Sequence, residues 1–456
     1  MVVNKKKMAS SLILILLIVF YLYMCFNNLS FINVDFGVFI TFVINGVLAL
    51  WFAMSEKQAF TLGKVFYYFN FFFMVVAPMF QFLTNFKLWN YTISNNTYLV
   101  SNLLIMFWLV TYKIFYIFFF SNSSKRYKNS TNKKIPYNSS ILFMLYVLTL
   151  FCFSFIVSKV SISGLFTRST NHVSFDSGAI ITIVESLCRS IPVYTLVYSY
   201  FYCKATKKSK LLLLFPLIFT ILLNFPSSVA RYWLGIVYIG IILVFFQKSI
   251  KNKKFDIFLI CLFAILFPIF QLFKWYGINV LTDFNLLFSK FSSTYNNADF
   301  DAYSMLARGI DYVSQNGHTN GHQLLASLFF IIPRAIWSNK PVPSGQFIAE
   351  SQHQFFTNLS FPLIGEGYLD FGIIGIFIFS IIFAKITSKL DFEYWNNSDK
   401  SKVINYIYPF AFGIFIFLQR GSMQPVVVYT FAFYLFIMFF SLFFKKKSGD
   451  INVQKD

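Results

Sequence analysis

The chain has 456 residues, of which 57% are hydrophobic and only 12% charged, and its net charge is +21. A soluble domain carries about 25% charged residues, so this composition excludes an ordinary soluble enzyme and a disordered chain alike. The five Cys (Cys25, Cys152, Cys188, Cys203 and Cys261) are isolated, mostly within apolar runs, and form no CxxC pair. They read as small apolar packing residues, with neither a disulfide framework nor a zinc site.

About 20 consecutive apolar residues cross a bilayer as a helix. On that ruler the sequence predicts an all-α polytopic membrane protein with twelve spans. They fall at 8–26, 31–54, 65–84, 99–120, 141–163, 179–203, 211–226, 232–247, 255–275, 361–384, 403–419 and 426–444. The pair 211–226 and 232–247 is short, and reads either as a tight hairpin or as one span plus a re-entrant piece. The first run follows Lys5, Lys6 and Lys7 as a signal peptide would, but it is long and lacks a small-residue cleavage site.

With the N-terminus inside, the segments 1–7, 55–64, 121–140, 204–210, 248–254, 385–402 and 445–456 are cytoplasmic and hold 26 of the 38 Lys and Arg. The positive-inside rule then fits every span, with both termini cytoplasmic. The basic excess is mostly topological, so no nucleic-acid partner is expected. The organisation is a membrane domain at 1–275, a large external loop at 276–360, a second membrane block at 361–444 and a basic tail at 445–456. Loops as long as the 85-residue one are uncommon without a function. Its apolar stretch Leu324–Ile332 is too short to span and suits an interfacial or packed helix ended by Pro333.

Sorting the basic residues by type separates two populations. Of seven Arg only Arg126 is cytoplasmic, whereas 25 of 31 Lys are. Arg168, Arg189, Arg231, Arg308, Arg334 and Arg420 fall in external segments or in spans. Arg presents five donors in a planar fork that matches phosphate and carboxylate, so an external polyanion site competes with scattered ion pairs and headgroup contacts. Arg189 lies one turn after Glu185, which suits an intrahelical ion pair. Otherwise charge within the spans is sparse, and Lys113 and Lys159 read as snorkelling side chains. Glu366 and Asp370 stand four apart at the start of span 10. They either complement the helix dipole or serve as a general base or an orienter of Arg or a sugar hydroxyl. Gly365, Tyr368, Gly372 and Gly375 share a face of that continuous helix by their spacing.

Two strings carry a family resemblance: Ile332-Pro333-Arg334-Ala335-Ile336-Trp337-Ser338-Asn339-Lys340-Pro341, and Pro362-Leu363-Ile364-Gly365-Glu366-Gly367-Tyr368-Leu369-Asp370-Phe371-Gly372-Ile373-Ile374-Gly375. They resemble the signature of the bacterial O-antigen polymerase (Wzy) family. Span number, loop position, Arg231-Tyr232-Trp233, Phe273-Lys274-Trp275-Tyr276-Gly277 and Gln419-Arg420-Gly421 extend the likeness. The resemblance implies a periplasmic glycosyl transfer in lipopolysaccharide and surface polysaccharide biosynthesis, by an enzyme similar to the type-C membrane glycosyltransferases. A glycan on undecaprenyl diphosphate would move onto a lipid-linked repeat unit, with no cofactor and no metal. Asp299-Phe300-Asp301 matches a DxD triplet, but as one isolated pattern.

On this reading Arg168, Arg231, Arg334 and Arg420 bind the diphosphate, with Arg308 and Lys274 as secondary donors. Glu366 is the expected base, with Asp301, Asp370 and His322 as rivals, and Trp337, Tyr368 and Asp370 contact the glycan. A chain-length regulator and a repeat-unit flippase are the expected protein partners. Two alternatives remain: an O-antigen ligase using a loop histidine (His318, His322 or His353), and a polysaccharide flippase or transporter.

Overall fold

The computed structural model describes residues 12–19, 22–23, 35–126, 134–166, 178–250, 253–268, 292–397 and 399–443. Among these the fold is helical, with a single isolated backbone bridge, Lys134 to Lys402, as the only extended pairing. In chain order the helices are α1 (Phe36–Ser55), α2 (Leu62–Leu83), α3 (Asn95–Arg126), α4 (Ser139–Val160), α5 (Gly178–Thr206), α6 (Lys210–Leu223) and α7 (Arg231–Phe246). There follow α8 (Lys254–Ile260), α9 (Ala302–Asn316), α10 (His322–Leu328), α11 (Ser344–Ser351), α12 (Leu363–Trp395), α13 (Ile404–Arg420) and α14 (Met423–Phe440). Six of them, α1, α2, α3, α4, α12 and α14, are long and apolar enough to cross a membrane, while α6 and α7 are apolar but shorter. Of the expected first span, 8–26, residues 12–19 and 22–23 are described and helical, and the tail, 445–456, lies outside the described residues.

The chain divides into two compact units. The first comprises residues 1–122, 246–391 and 415–427, and the second 123–245, 392–414 and 428–456.

In the first unit α2 is the axis. It is apolar all round, and its membrane-crossing window is entirely buried, as a helix without a polar face requires. Its middle, Asn70–Val76, widens into a π-helical turn just before Pro78; a widened turn relieves the clash between a proline ring and the preceding carbonyls. At one end of α2, Asp391 accepts hydrogen bonds from the Leu62 and Gly63 amides and from the Tyr116 hydroxyl. There too Lys64 pairs with Asp256 at 2.9 Å, both side chains being buried. At the other end the Gln81 amide donates to the carbonyls of Tyr295 and Phe300, and Phe73 stacks on Phe300.

Helix α12 departs from the continuous span read in the sequence. Phe371 (φ −142, ψ 17) and Gly372 (φ 61, ψ −143) break it, leaving a short outer arm and a long apolar inner arm. The arms approach so closely that a Cβ on Gly375 would lie 1.9 Å from the Gly367 carbonyl oxygen. The glycines therefore do not form the shared face that regular spacing suggested; Gly372 supplies the left-handed φ, and Gly367 and Gly375 the contact. A break of this kind is tolerated where side chains satisfy the released backbone, and here Thr319 donates its amide and hydroxyl to the Leu369 carbonyl.

The second unit packs α4 against α5 and α6. Thr149 on α4 bonds Thr195 on α5. Arg189 makes the expected ion pair with Glu185, at 2.9 Å, and also donates to the Leu223 carbonyl. Asn224 ties the end of α6 to α5 through the Arg189 carbonyl and accepts from the Trp233 indole at 2.7 Å. Charge within the spans is richer than the sequence suggested. Besides Lys64–Asp256, Lys113 pairs with Glu56 at 2.8 Å and lies over the rings of Phe52 and Tyr67.

Candidate active site

Asp301 stands at the N-cap position of α9 yet makes no capping hydrogen bond. Aspartate at that position ordinarily accepts from the first-turn amides. Here the carboxylate turns away, accepting from the Ser360 hydroxyl and amide and from Arg420 Nη2 at 3.3 Å. Burial pushes the Asp301 carboxyl above its ordinary pKa, opposed by the Arg420 charge and the Ser360 hydrogen bonds.

Arg420 closes α13, and its Nη2 also donates to the Ala298 carbonyl at 3.0 Å and lies 3.9 Å from Asp299. The side chain is 30% exposed, against 3% for Asp301, and its Nε has no partner. Neighbouring Gln419 accepts from Asn70 on the widened turn of α2, so the most buried helix fixes the approach to Arg420. Both acids of Asp299-Phe300-Asp301 thus face a guanidinium.

Glu366 and Asp370 project from the outer arm of α12 into separate, satisfied settings. Glu366 accepts from the Ser344 hydroxyl at 2.6 Å and the Met423 amide at 2.7 Å, clamping the starts of α11 and α14. Asp370 accepts from Thr319, the Gln323 amide and the Leu324 amide, capping α10. The two carboxylates expected to work together each cap a different helix.

Arg308 and Arg334 are likewise engaged. Arg308 is buried on α9, donating to Gln352 and to the Leu88 and Trp89 carbonyls, with its guanidinium 4.2 Å from the Tyr91 ring centroid. Arg334 is exposed and closes its own string, donating to the Lys340 carbonyl at 2.5 Å and the Pro341 carbonyl at 3.2 Å. Lys340 is buried and donates to the Phe330 and Ile332 carbonyls; burial and the Arg334 charge hold its ammonium below the usual lysine range. His322 is exposed, 6.1 Å from the half-buried ring of Trp337. Tyr368 is half-buried, 5.9 Å from exposed His318, whose imidazole lies in the elbow of α12 against Gly372.

Residues 357–448 match the family model of the O-antigen polysaccharide polymerase Wzy. No curated protein matches the chain, and no solved structure does. The Wzy match takes in the Pro362–Gly375 string, α12 with its elbow, and Gln419-Arg420-Gly421. It begins beyond the Ile332–Pro341 string. The resemblance read from the sequence is therefore borne out for the stretch carrying Glu366, Tyr368, Asp370 and Arg420.

Of the other expected site residues, Asp301, Arg308, His322, Arg334 and Trp337 share the first unit with Glu366, Tyr368, Asp370 and Arg420, while Arg231, exposed at the start of α7, belongs to the second. Arg168 and Lys274 lie outside the described residues. Sequence reasoning missed Ser344, Ser360 and Ser422. Ser344 serves Glu366, Ser360 serves Asp301, and Ser422 accepts from the Gly345 amide at 2.9 Å. A Ser immediately before or at a helix start, as in Pro343-Ser344 and Ser422-Met423, was the available signal. Among the described residues no group of three or more His, Cys, Asp or Glu side chains is placed to hold a metal ion.

Proposed function

We propose that the protein is a surface-polysaccharide polymerase of the bacterial inner membrane, with twelve spans, both termini cytoplasmic and the 276–360 loop periplasmic. It transfers a glycan from undecaprenyl diphosphate onto a lipid-linked repeat unit. The observation that carries this reading is the Arg420–Asp301 pair: a desolvated carboxylate beside an arginine side chain that is 30% exposed, Arg420 lying within the Wzy match.

In the reaction an acceptor hydroxyl attacks the anomeric carbon, and the bond from that carbon to the diphosphate oxygen breaks. Negative charge grows on the departing diphosphate, and Arg420 stabilises it through donors already oriented by Asp299 and Asp301. The cationic role that a divalent metal plays elsewhere falls here to guanidinium. Asp301 accepts the hydroxyl proton, since burial has raised its basicity. Arg334 is a secondary, exposed cation, and Trp337 and Tyr368 offer half-buried rings to sugar faces. Glu366 and Asp370 act by holding α10, α11 and α14 around the site, a positioning role in place of direct proton transfer. A chain-length regulator and a repeat-unit flippase are the proposed partners.

Incubating the purified protein with lipid-linked repeat unit alone tests the reading. A ladder of longer glycans with release of undecaprenyl diphosphate is the expected result. Product formed only after adding lipid A core would make it a ligase, the alternative that the exposed His318, His322 and His353 favour. Translocation across liposomes without bond formation would make it a flippase.

A further inference from the structure

Helix α10 and the segment after it are built inside out for a water-exposed loop. α10 buries Gln323, Ala326 and Ser327 and turns Leu325 and Leu328 outward. The chain beyond it exposes Phe329 (52%), Ile331 (54%) and Ile336 (80%), with Phe330 the one large apolar side chain turned in. In water this inverts the usual partition by about 1.5–3 kcal/mol for each large side chain left exposed. A contiguous apolar face of this kind marks an interaction site.

Two observations identify what covers it. Asp370 holds the Gln323 and Leu324 amides, so α10 is fastened at the elbow of α12, a helix long and apolar enough to cross a membrane. No Asp or Glu occurs between Asp311 and Glu350, whereas Arg334 and Lys340 do. An apolar face that carries the exposed cation Arg334 and no acid is complementary to an anionic lipid surface.

We propose that residues 325–336 lie in the bilayer interface, with Leu325, Leu328, Phe329, Ile331 and Ile336 among acyl chains and Arg334 at headgroup level. The loop between α8 and α12 then returns to the membrane midway, independently of the reaction proposed above. Nitroxide labels at Leu328→Cys, Phe329→Cys and Ile336→Cys, in a cysteine-free background in phosphatidylethanolamine–phosphatidylglycerol vesicles, test this against Gln315→Cys at the exposed C-terminal end of α9. The expected result is a ratio of oxygen to nickel-chelate collisions several-fold higher at the three positions than at 315. A ratio equal to that at 315 overturns the proposal. So does exclusion of both reagents, which would mean that protein, such as a second copy, covers the face. If the cysteine-free chain does not fold, the native chain in nanodiscs with a diazirine-acyl phosphatidylglycerol serves instead. Adducts on 325–336 and none on 312–316 are expected, and their absence from 325–336 overturns the proposal.

Discussion

Two of the ion clusters in the first unit differ in one respect. Lys64–Asp256 is closed: the side chains are 1% and 0% exposed, Lys64 also donates to the Ala59 carbonyl, and Tyr68 donates to the second Asp256 oxygen. Arg420–Asp301 is open: the arginine side chain is 30% exposed. A closed pair has no capacity left for a ligand, and its removal is felt in folding. An open pair keeps a charge oriented for something that arrives later. Charge alone therefore does not mark a site; unused, oriented charge does.

Mutations that separate folding from turnover sharpen this contrast. Arg420→Ala is expected to reduce chain growth about 100-fold or more, the effect of losing a preorganised transition-state donor, with membrane insertion unchanged and the melting temperature lowered less than by Lys64→Ala, since Asp301 keeps its Ser360 hydrogen bonds; glycan ladders from the mutant strain measure it. Lys64→Ala should do the converse, costing about 3–5 kcal/mol of stability by taking the nearest cation from the buried Asp256, read as a loss of folded protein in thermal denaturation. Replacing both partners, Lys64→Met with Asp256→Leu, should recover most of that loss.

Smaller effects follow at the elbow. Gly375→Ala puts a methyl group into the Gly367 carbonyl and is expected to cost about 1–3 kcal/mol, lowering the melting temperature and elongation together. Asp370→Ala removes the cap of α10 and should cost about 1 kcal/mol. The smallest effect is the pH response of Asp301. Its folded-state pKa is raised by burial, so the protonated form is favoured by folding. Its contribution to stability is full below the ordinary aspartate pKa and fades as pH rises through the raised value. Asp301→Asn should flatten that slope in denaturation curves taken across the acidic range.

Much of this architecture was legible before the structure, and the exceptions share a cause. Hydropathy located the apolar helices because burial in lipid requires runs of residues that any window detects. The break at Phe371–Gly372 escaped because it depends on two backbone dihedrals within an unbroken apolar run. The glycines were noticed, but regular spacing assigned them a shared face that the elbow removes. Lys64 was counted with the topology charges, and its role is set by Asp256, 192 residues away. Arg420 was legible because Arg is scarce and sorted by position. Asp299 and Asp301 were read as an isolated metal-like pattern, because only the folded chain brings Arg420 against them.

The most direct test is binding of undecaprenyl diphosphate to folded protein in nanodiscs, compared between the native chain, Arg420→Ala and the Lys64→Met/Asp256→Leu double variant. A charged hydrogen bond contributes about 1.5–3 kcal/mol, which is about 10- to 150-fold in affinity. The account predicts a weakening in that range for Arg420→Ala and none for the double variant. Equal affinity in all three, or weakening only where the closed pair is removed, would contradict it.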